Sequence, residues 1–342
     1  MSHSEQPFVT VIMPVRNEAD FIARSLGAVL TQDYPPERME IIIADGMSTD
    51  GTRAEIARLA AQHPHIPIRV IDNPRQIVPT GMNLAYKQAK GEIIVRVDGH
   101  CEIAPNYLSE CVAHLLSDAA DGVGGPIETV GQTPFSQSIA LAMSSTFGVG
   151  GSAFRTVKDK ALYTDTVAFP AYRRAVMERA GGYDEQLTRN QDDEYNYRLR
   201  GLGFRLLLTP KIRSRYFSRA TLRRVWRQYY QYGFYKVRVL QKHPRQMSLR
   251  QFVPPFFVAA LMLGGLLALI SPFFLALWLL LMIAYAAANI GASALLAAQH
   301  GWQHLPRLPF IFAALHLSYG LGFWHGMIHF ARRWRDRGTQ PA

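Results

Sequence analysis

Short apolar runs and longer helical stretches alternate along the N-terminal part of the chain. The apolar runs have the length of strands and lie at residues 8–15, 39–44, 68–71 and 93–97. The stretches between them, near residues 18–32, 52–62 and 80–90, are helical in pattern. Strict alternation of strand and helix predicts a parallel sheet with helices on its faces, which is an α/β fold.

The pattern continues less regularly through the middle of the chain. Helices are expected near residues 106–117, 173–180 and 192–200, with a glycine-rich strand region at 122–129. Glycines follow the last two helices, and glycine readily adopts the backbone conformations found at helix ends. We therefore predict a mainly parallel sheet domain in residues 1–220.

The C-terminal part of the chain is apolar over much longer stretches. No Lys, Arg, Asp or Glu occurs in residues 252–306, and a bilayer core needs about 20 apolar residues per helix. This stretch can hold two spans with a turn at Ser271-Pro272, and a third apolar segment lies at 308–330. Buried helices of a soluble domain are the alternative. We expect two to three transmembrane helices in residues 251–331.

Charge is divided as sharply as hydropathy. The net charge of +11 combines −8 for residues 1–194, which hold 25 of the 26 acids, with +19 for the rest. Residues 205–250 contain thirteen Lys or Arg and no acid, interleaved with Trp and Tyr. This composition is typical of a helix at a membrane interface, so we assign residues 221–250 to a basic aromatic interfacial helix region that meets membrane lipids. A basic tail, 332–342, follows the apolar region.

The N-terminus and the two cysteines bear on location. Residues 1–10 lack a basic segment followed by an apolar one, so no secretory signal is predicted. Cys101 and Cys111 fit a reducing compartment, and no further Cys or His pair with the spacing of a metal finger accompanies them. We expect a multi-pass protein of the cell inner membrane with its first domain in the cytoplasm. Basic residues at both ends of the apolar region favour an even number of crossings.

Acidic residues follow two of the predicted strands. Asp45 follows the second strand, and Asp98-Gly99-His100 follows the fourth. In parallel sheets the ligand lies beyond the carboxyl ends of the strands, where helix N-termini can face phosphates. Asp98 and His100 can both ligate one divalent ion, which would neutralise a diphosphate leaving group. Alternatively, Asp98 caps a turn and His100 is a surface residue.

Three stretches carry a family resemblance through their order and spacing: VTVIMPVRNE at 9–18, ADGMSTDGT at 44–52 and GEIIVRVD at 91–98. Together they resemble glycosyltransferase family 2, whose members are inverting enzymes with the GT-A nucleotide-sugar fold. Within the family, Asp98-Gly99-His100 and PTGMN at 79–83 are similar to the succinoglycan glucosyltransferase subgroup. The resemblance covers roughly the first two thirds of the chain. It implies a Rossmann-like sheet with flanking helices, followed here by a C-terminal α-helical membrane region.

The resemblance assigns roles by matching position. Pro14 and Glu18 would line the nucleoside pocket, and Asp45 would accept a hydrogen bond from the base. Asp98 and His100 stand at the family's metal-binding D-x-D, which implies a divalent metal, Mn2+ or Mg2+, as cofactor. His100 replaces the second acid, and imidazole suits Mn2+ at least as well as Mg2+.

A second departure from the family is Gly46, where many relatives have Asp. A turn or N-cap role remains open for Asp45. Asp50 is better placed to cap the helix that begins near Thr52, because capping acids stand immediately before the first turn.

The catalytic base is expected at the start of a later helix. The run NQDDEYNYR at 190–198 resembles the family's E-D-x-x-L-x-x-R segment, and GYDE at 182–185 matches its G-G-[FY]-D-E segment at the proper distance. Asp192 falls on the catalytic Asp, which would take a proton from the acceptor hydroxyl in one inverting displacement. Asp193 and Glu194 are explained by the helix macrodipole, which favours acids at this end.

Polar residues in the C-terminal part allow several roles. Residues 228–232 lie where polymer-making relatives carry Q-x-x-R-W, but Arg and Trp are replaced, which argues against processive synthesis. Lys236 and Arg238 could meet the diphosphate of a polyprenyl carrier. His316, His325 and His329 are better explained by hydrogen bonds between helices than by a metal.

Taken together, these patterns predict an inverting, metal-dependent hexosyltransferase. It would use a nucleotide-sugar donor, with a UDP-sugar favoured, and a polyprenyl-linked glycolipid acceptor in exopolysaccharide biosynthesis. A polyprenyl-phosphate monosaccharide synthase is the alternative enzyme. A non-enzymatic binder of anionic lipid or nucleic acid is the alternative of another class. We expect no nucleic-acid partner, because such a role leaves the acids at the strand ends unexplained.

Overall fold

A computed structural model describes residues 6–218 and 221–334. The described residues form two compact units. The first, called the sheet unit, comprises residues 6–128 and 157–216. The second, called the helical unit, comprises residues 129–156 and 217–334. Residues 129–156, which the sequence assigned to the sheet domain, therefore group with the C-terminal helices.

The strands in the described residues occupy the predicted positions and several others. Their bounds are β1 Val9–Val15, β2 Met39–Asp45, β3 Ile68–Asp72, β4 Ile93–Arg96, β5 Cys101–Ile103, β6 Gly122–Gly125, β7 Ile127–Val130, β8 Leu162–Tyr163, β9 Ala168–Arg173, β10 Leu206–Leu208 and β11 Ser214–Phe217.

The α-helices have equally well-defined bounds. They are α1 Ile22–Leu30, α2 Thr52–Gln62, α3 Val78–Gln88, α4 Tyr107–Leu116, α5 Pro134–Met143, α6 Thr146–Val149, α7 Ala153–Thr156, α8 Arg174–Ala180, α9 Gln191–Gly201, α10 Leu222–Lys242, α11 Val253–Ala268, α12 Pro272–His300 and α13 Leu308–His329.

The main sheet has the strand order β3-β2-β1-β4-β9-β6-β10-β8. Pairing is parallel between β3 and β2, β2 and β1, β1 and β4, and β6 and β10. The predicted α/β class and mainly parallel sheet are thus confirmed. Two strands depart from the parallel pattern: β9 is inserted antiparallel between β4 and β6, and β8 pairs antiparallel with β10. A smaller sheet contains β5, β11 and β7.

The glycines of β6 are explained by close backbone approach. A Cβ added at Gly125 would lie 1.4 Å from the Ile212 carbonyl oxygen, and one at Gly122 would lie 2.5 Å from the Tyr172 ring. Neither distance is possible for real atoms, so larger residues would force the chain apart. The glycine-rich pattern at this strand therefore reflects packing in the sheet unit.

Within the described residues, two helices are long and apolar enough to cross a membrane by length and composition. They are the segment Leu249–Ala268, which contains α11, and α12 at Pro272–His300. Only 11% and 6% of their apolar windows are buried inside the protein. A core helix of a soluble domain would be mostly buried, so this exposure favours association with a membrane over the soluble alternative.

The third predicted apolar segment has a different environment. It forms α13, which packs along α10. Many residues of α13 are buried within the helical unit. His325 Nδ1 lies 2.7 Å from the Tyr230 hydroxyl of α10, and His316 Nδ1 lies 3.0 Å from the Tyr285 hydroxyl of α12. The prediction that histidines here form hydrogen bonds between helices is confirmed for these two.

Glycines let the backbones of α10 and α13 approach closely. A Cβ added at Gly322 would lie 2.0 Å from the Tyr230 carbonyl oxygen, and one at Gly326 would lie 2.5 Å from that of Phe234. From the other side, a Cβ at Gly233 would lie 2.0 Å from the Tyr319 carbonyl oxygen. The helix pair therefore depends on small residues at the contact, as in membrane helix packing.

Arg238 of α10 is buried within the helical unit. Its side chain donates hydrogen bonds to the Gln241 side chain at 3.0 Å and to the Arg333 carbonyl oxygen at 3.3 Å. The last carbonyls of a helix carry partial negative charge, which suits a cation beyond α13. The expectation that Arg238 meets a lipid diphosphate is therefore wrong in this structure, because the guanidinium is held inside the unit.

We expect Gly322→Ala to lower the thermal stability of the detergent-purified protein, because its methyl group cannot fit against the Tyr230 carbonyl. Overpacking of this kind typically costs about 1–3 kcal/mol. Gly291→Ala is the matched control, since no described atom lies within 4 Å of a Cβ added at this helical glycine. Equal melting temperatures for the two variants would contradict the close packing of α10 and α13.

Candidate active site

Strained residues mark the edge of the main sheet at which the parallel strands end. Asn17 follows β1 with φ 51°, Met47 follows β2 with φ 56°, and Gln76 follows β3 with φ 59°. Positive φ is uncommon outside glycine and often occurs at functional sites. The backbone N–H of Asn17 donates to Ser48 Oγ at 2.9 Å, and its side-chain oxygen accepts from the Thr49 N–H. The loops after β1 and β2 are thus tied together.

Asp45 lies at the end of β2 and is fully buried. Its carboxylate accepts hydrogen bonds from the Ser48 N–H at 3.0 Å, the Ser48 hydroxyl at 2.5 Å and Arg53 Nε at 2.5 Å. Arg53 also donates to Asp72 at the end of β3. The structure therefore shows Asp45 stabilising the turn and holding Arg53, and its contact with a nucleobase stays a prediction.

Asp50 binds the first residue of α2 as the sequence favours, but from one position before the N-cap, which is Gly51. Its Oδ1 accepts from the Thr52 N–H at 3.0 Å and from the Thr52 hydroxyl, and its Oδ2 accepts from the Ala19 N–H. Desolvation acts to raise the pKa of Asp50, but these hydrogen bonds outweigh it and lower the pKa. The ionised side chain therefore fixes the start of α2 and joins it to the loop after β1.

Pro14 is buried in β1, opposite Ala44 of β2. A proline in a central strand is unusual, because it cannot donate to the ladder. Here the pairing of β1 with β4 ends at Ile12, before the proline. Its predicted place in a nucleoside pocket stays a prediction.

Asp98 is held by an arginine that the motifs did not identify. Arg96, the last residue of β4, donates from Nε to Asp98 Oδ1 at 2.7 Å and from a terminal nitrogen to Oδ2 at 3.0 Å. Desolvation raises the pKa of Asp98, but Arg96 opposes it through charge and hydrogen bonds, with help from His100 and Arg189, and the pKa lies below its usual value. Asp98 is therefore an ionised carboxylate.

His100 is paired with Glu18 rather than with solvent. Its Nδ1 lies 2.8 Å from Glu18 Oε1, and its ring packs edge-on against Tyr216 with centroids 5.2 Å apart. The other ring nitrogen, Nε2, makes no hydrogen bond to the residues that the structure describes. Glu18, which was expected in the nucleoside pocket, thus fixes the orientation of the imidazole.

Asp192 lies in the first turn of α9, and the fold brings it into electrostatic contact with Asp98 and Arg96. Its Oδ1 accepts the Asp193 N–H at 3.1 Å. Burial raises the pKa of Asp192 most, the Asp193 and Asp98 charges raise it further, and Arg96 opposes them. Two acids distant in sequence therefore share one buried arginine, with their pKa values displaced in opposite directions.

Several motif residues stabilise the loop that precedes Asp192 and α9. Arg198 pairs with Glu194 at 2.8 Å and donates to the carbonyls of Ala180 and Gly182. Asn83 of α3 donates to the Tyr183 carbonyl and accepts its N–H, at 2.9 and 2.7 Å. These contacts explain why PTGMN, GYDE and the arginine of the last motif occur together, since they fix the loop before α9.

Sequence reasoning missed Arg96 and Tyr183. The Tyr183 ring stacks on Tyr195, with centroids 4.3 Å apart, and its hydroxyl lies close enough to Arg96 to form a hydrogen bond. Burial raises the pKa of Tyr183 to about 12, so the phenol stays protonated at neutral pH. The available signal was a charged residue in an otherwise apolar strand, two positions before Asp98 and hence on the same face.

The residues at this edge fit a divalent metal in part. Asp98 offers a carboxylate and His100 an imidazole, both ligand types that Mn2+ accepts. A carboxylate on the second ring nitrogen, as Glu18 provides, is the usual support of a metal-binding histidine. No group of three or more His, Cys, Asp or Glu side chains that could hold a metal occurs in residues 6–218 or 221–334. Further ligands would therefore have to come from the donor or water.

Comparison with known proteins identifies the family. Residues 10–181 match Glycosyl transferase family 2. The chain belongs to this family. It is 31% identical over 327 residues to the succinoglycan biosynthesis protein ExoA of Rhizobium meliloti, covering 94% of this chain and 96% of the relative. The resemblance to the family and its succinoglycan subgroup is thus confirmed, and the protein is a glycosyltransferase.

Two further relatives extend the comparison. A dolichyl N-acetyl-alpha-D-glucosaminyl phosphate 3-beta-D-2,3-diacetamido-2,3-dideoxy-beta-D-glucuronosyltransferase of Methanococcus voltae is 29% identical, covering 77% of this chain and 84% of its own. The solved mannosyltransferase PcManGT from Pyrobaculum calidifontis, in complex with GDP-Man and Mn2+, superposes with a TM-score of 0.57 at 23% identity. The superposition covers 91% of this chain and 87% of the mannosyltransferase chain, and it supports the GT-A fold.

We expect Arg198→Met to destabilise the sheet unit strongly, because it leaves the Glu194 carboxylate buried without its charge partner. Breaking a buried ion pair from one side typically costs about 3–5 kcal/mol. Arg58→Met, which breaks the exposed pair with Glu55 on α2, is the control and should cost at most about 1 kcal/mol. Chemical denaturation measures both, and equal small losses would refute a structural role for Arg198.

Proposed function

We propose that the protein is an inverting, metal-dependent glycosyltransferase that moves a hexose from a nucleotide sugar, with a UDP-sugar favoured, to a polyprenyl-diphosphate-linked acceptor in exopolysaccharide biosynthesis. The observation that carries the proposal is the electrostatic contact of Asp98 and Asp192 around Arg96, in the sheet unit. One acid is held ionised, and the other has a raised proton affinity. Such a division between two acids is the pattern expected for separate donor and base roles.

On the donor side, Asp98 and His100 would hold the divalent metal, with Glu18 as a positioning residue for the imidazole. The bound metal supplies positive charge that stabilises the diphosphate as it leaves. Arg53, oriented by Asp45 and Asp72, is the partly exposed cation at the ends of β2 and β3. We assign the nucleoside to this part of the sheet edge, beside Pro14.

On the acceptor side, Asp192 would remove the proton from the attacking hydroxyl. Its raised pKa makes it a better base than an exposed Asp, provided that it is deprotonated when the acceptor binds. The acceptor oxygen then bonds to the anomeric carbon from the face opposite the departing diphosphate. A single displacement inverts the configuration, and the proton ends on Asp192.

The acceptor class is proposed from the helical unit and the relatives. Two exposed apolar helices support a membrane anchor, and the exposed Arg223, Arg224 and Arg227 of α10 suit lipid phosphates. One relative's name describes a sugar acceptor already linked to a dolichyl phosphate. We therefore propose a lipid-linked acceptor, a multi-pass location in the inner membrane, and a sheet unit in the cytoplasm.

The deciding experiment incubates the membrane-reconstituted protein with a panel of nucleotide sugars and a membrane lipid extract. Nucleotide release and labelled lipid are both measured. Mass spectrometry then separates a diphosphate-linked glycolipid from a monophosphate-linked monosaccharide, which would favour the synthase alternative. Absence of both nucleotide release and labelled lipid with every donor would count against the proposal.

We expect Asp192→Asn to reduce transfer by at least ~100-fold while donor affinity and melting temperature stay near wild type, because an amide cannot accept the proton. Calorimetric donor binding and product formation test this. Near-normal turnover would exclude Asp192 as the base.

Asp193→Asn serves as the neighbouring control for that substitution. The Asp193 charge raises the pKa of Asp192, so its removal should lower that pKa. Transfer needs the ionised base and falls as pH falls. The acid limb of the pH profile should therefore move to lower pH in this variant, and a shift to higher pH would contradict the assignment.

We expect Asp98→Ala and His100→Ala to weaken metal-dependent donor binding, with Asp98→Ala more severe because it removes the anionic ligand. Glu18→Gln should weaken metal affinity about 10-fold or more, as loss of a supporting carboxylate usually does. Glu55→Gln on the surface of α2 is the control and should change nothing. Full activity of the wild type after chelation and dialysis would disprove the metal requirement.

A further inference from the structure

Arg96 is a buried charge for which the proposed mechanism gives no role. It ends β4 and is only 6% exposed, in a strand whose other residues are Ile93, Ile94 and Val95. Burying a cation is costly unless it is paired and hydrogen-bonded. The buried guanidinium must therefore be stabilised by the residues around it.

Those residues come from both the donor side and the acceptor side of the proposed site. Asp98, on the donor side, receives two hydrogen bonds from Arg96 in a bidentate pair at 2.7 and 3.0 Å. Asp192, on the acceptor side, lies within its electrostatic reach. Tyr183, from the loop before α9, is close enough to accept a further hydrogen bond.

The bidentate pair conflicts with metal binding at the same carboxylate. Both Asp98 oxygens face the guanidinium, and arginine keeps its charge under all ordinary conditions. A divalent ion at those oxygens would stand next to a fixed positive charge. The charge repulsion weakens the hold of each cation on Asp98, and an Arg96 that loses Asp98 still lies within electrostatic reach of Asp192.

We propose, on the basis of the function proposed above, that Arg96 is a positioning residue that holds Asp98 before donor and metal bind and pairs with Asp192 once the metal has taken Asp98. Metal binding at Asp98 and stabilisation of the Asp192 carboxylate are then coupled through the Arg96 side chain. The charge of Arg96 already acts on Asp192 without metal, and a direct pair with the base carboxylate would form when the metal takes Asp98.

The first test measures Mn2+ affinity of the full chain in detergent, by calorimetry and by electron paramagnetic resonance, without sugar donor or acceptor. Arg96→Gln removes the competitor and should bind Mn2+ about tenfold more tightly than wild type, the factor expected for loss of a well-formed competing ion pair. Arg96→Lys keeps the charge but cannot form the bidentate pair, and should fall between the two.

The matched control is Arg189→Gln. Arg189 also acts on Asp98 electrostatically, but no hydrogen bond joins the two in the described structure. Loss of a cation by itself would strengthen Mn2+ binding equally in both Gln variants. Competition for the carboxylate predicts a clearly larger gain for Arg96→Gln than for Arg189→Gln.

The second test separates positioning from a merely structural role. Arg96→Gln should lower kcat by about tenfold or more, since Asp192 loses its partner, while the KM for the donor stays equal or falls. Tighter metal binding together with slower transfer is not expected from a damaged fold. Thermal melting checks the fold, and Arg96→Lys decides the matter if the Gln variant does not fold.

The proposal is overturned if folded Arg96 variants bind Mn2+ no more tightly than wild type, or if Arg189→Gln gives the same gain. These outcomes differ from failure of the proposed function. If wild-type transfer needs Mn2+ and Asp98 but the Arg96 variants show no gain, only the role of Arg96 is refuted. If neither wild type nor Arg96→Gln binds Mn2+, even with UDP added, both proposals fail.

Discussion

The parallel pairing of β1 with β2 on one side and β4 on the other is the constraint on which the candidate site depends. All seven residues of β1 are buried, and the register sets Val15 beside Asp45 while Ile12 pairs with Arg96. Because parallel strands end at the same edge, the loops that carry Glu18, Asp45 and Asp98 must leave the sheet together. Hydrogen bonds among those loops then fix their side chains.

Buried charge is the second organising feature of the sheet unit. Arg96 satisfies Asp98, and Arg198 satisfies Glu194, so each buried cation has a carboxylate at hydrogen-bond distance. The two pairs do different work. The Arg198 pair anchors the loop before α9 to the helix, and this support fixes the position of Asp192. The Arg96 pair includes Asp98 and lies within electrostatic reach of Asp192, the two acids to which the proposed mechanism assigns roles.

The helical unit is stabilised in another way. Its α10 and α13 approach through glycines, with hydrogen bonds from histidines to tyrosines between helices, while α11 and α12 leave long apolar faces exposed. Residues 129–156 join this unit through specific contacts: Phe147 O lies 2.8 Å from His316 Nε2, and Arg250 donates to Gly151 O. A segment from the middle of the chain is thereby tied to apolar helices that follow much later in the sequence.

Elements whose signals are local could be predicted from the amino-acid sequence. Alternating strands and helices predicted the mainly parallel sheet, and α2 begins at Thr52 as expected, because periodicity and turn signals are encoded within a few neighbouring residues. Motif spacing likewise selected Asp98, His100 and Asp192. Pairing between distant segments could not be predicted in this way, because it depends on contacts across the fold. The insertion of β9, the bond between Glu18 and His100, and the approach of Asp192 to the pair of Arg96 and Asp98 arise from register and packing between distant segments, which no local pattern records.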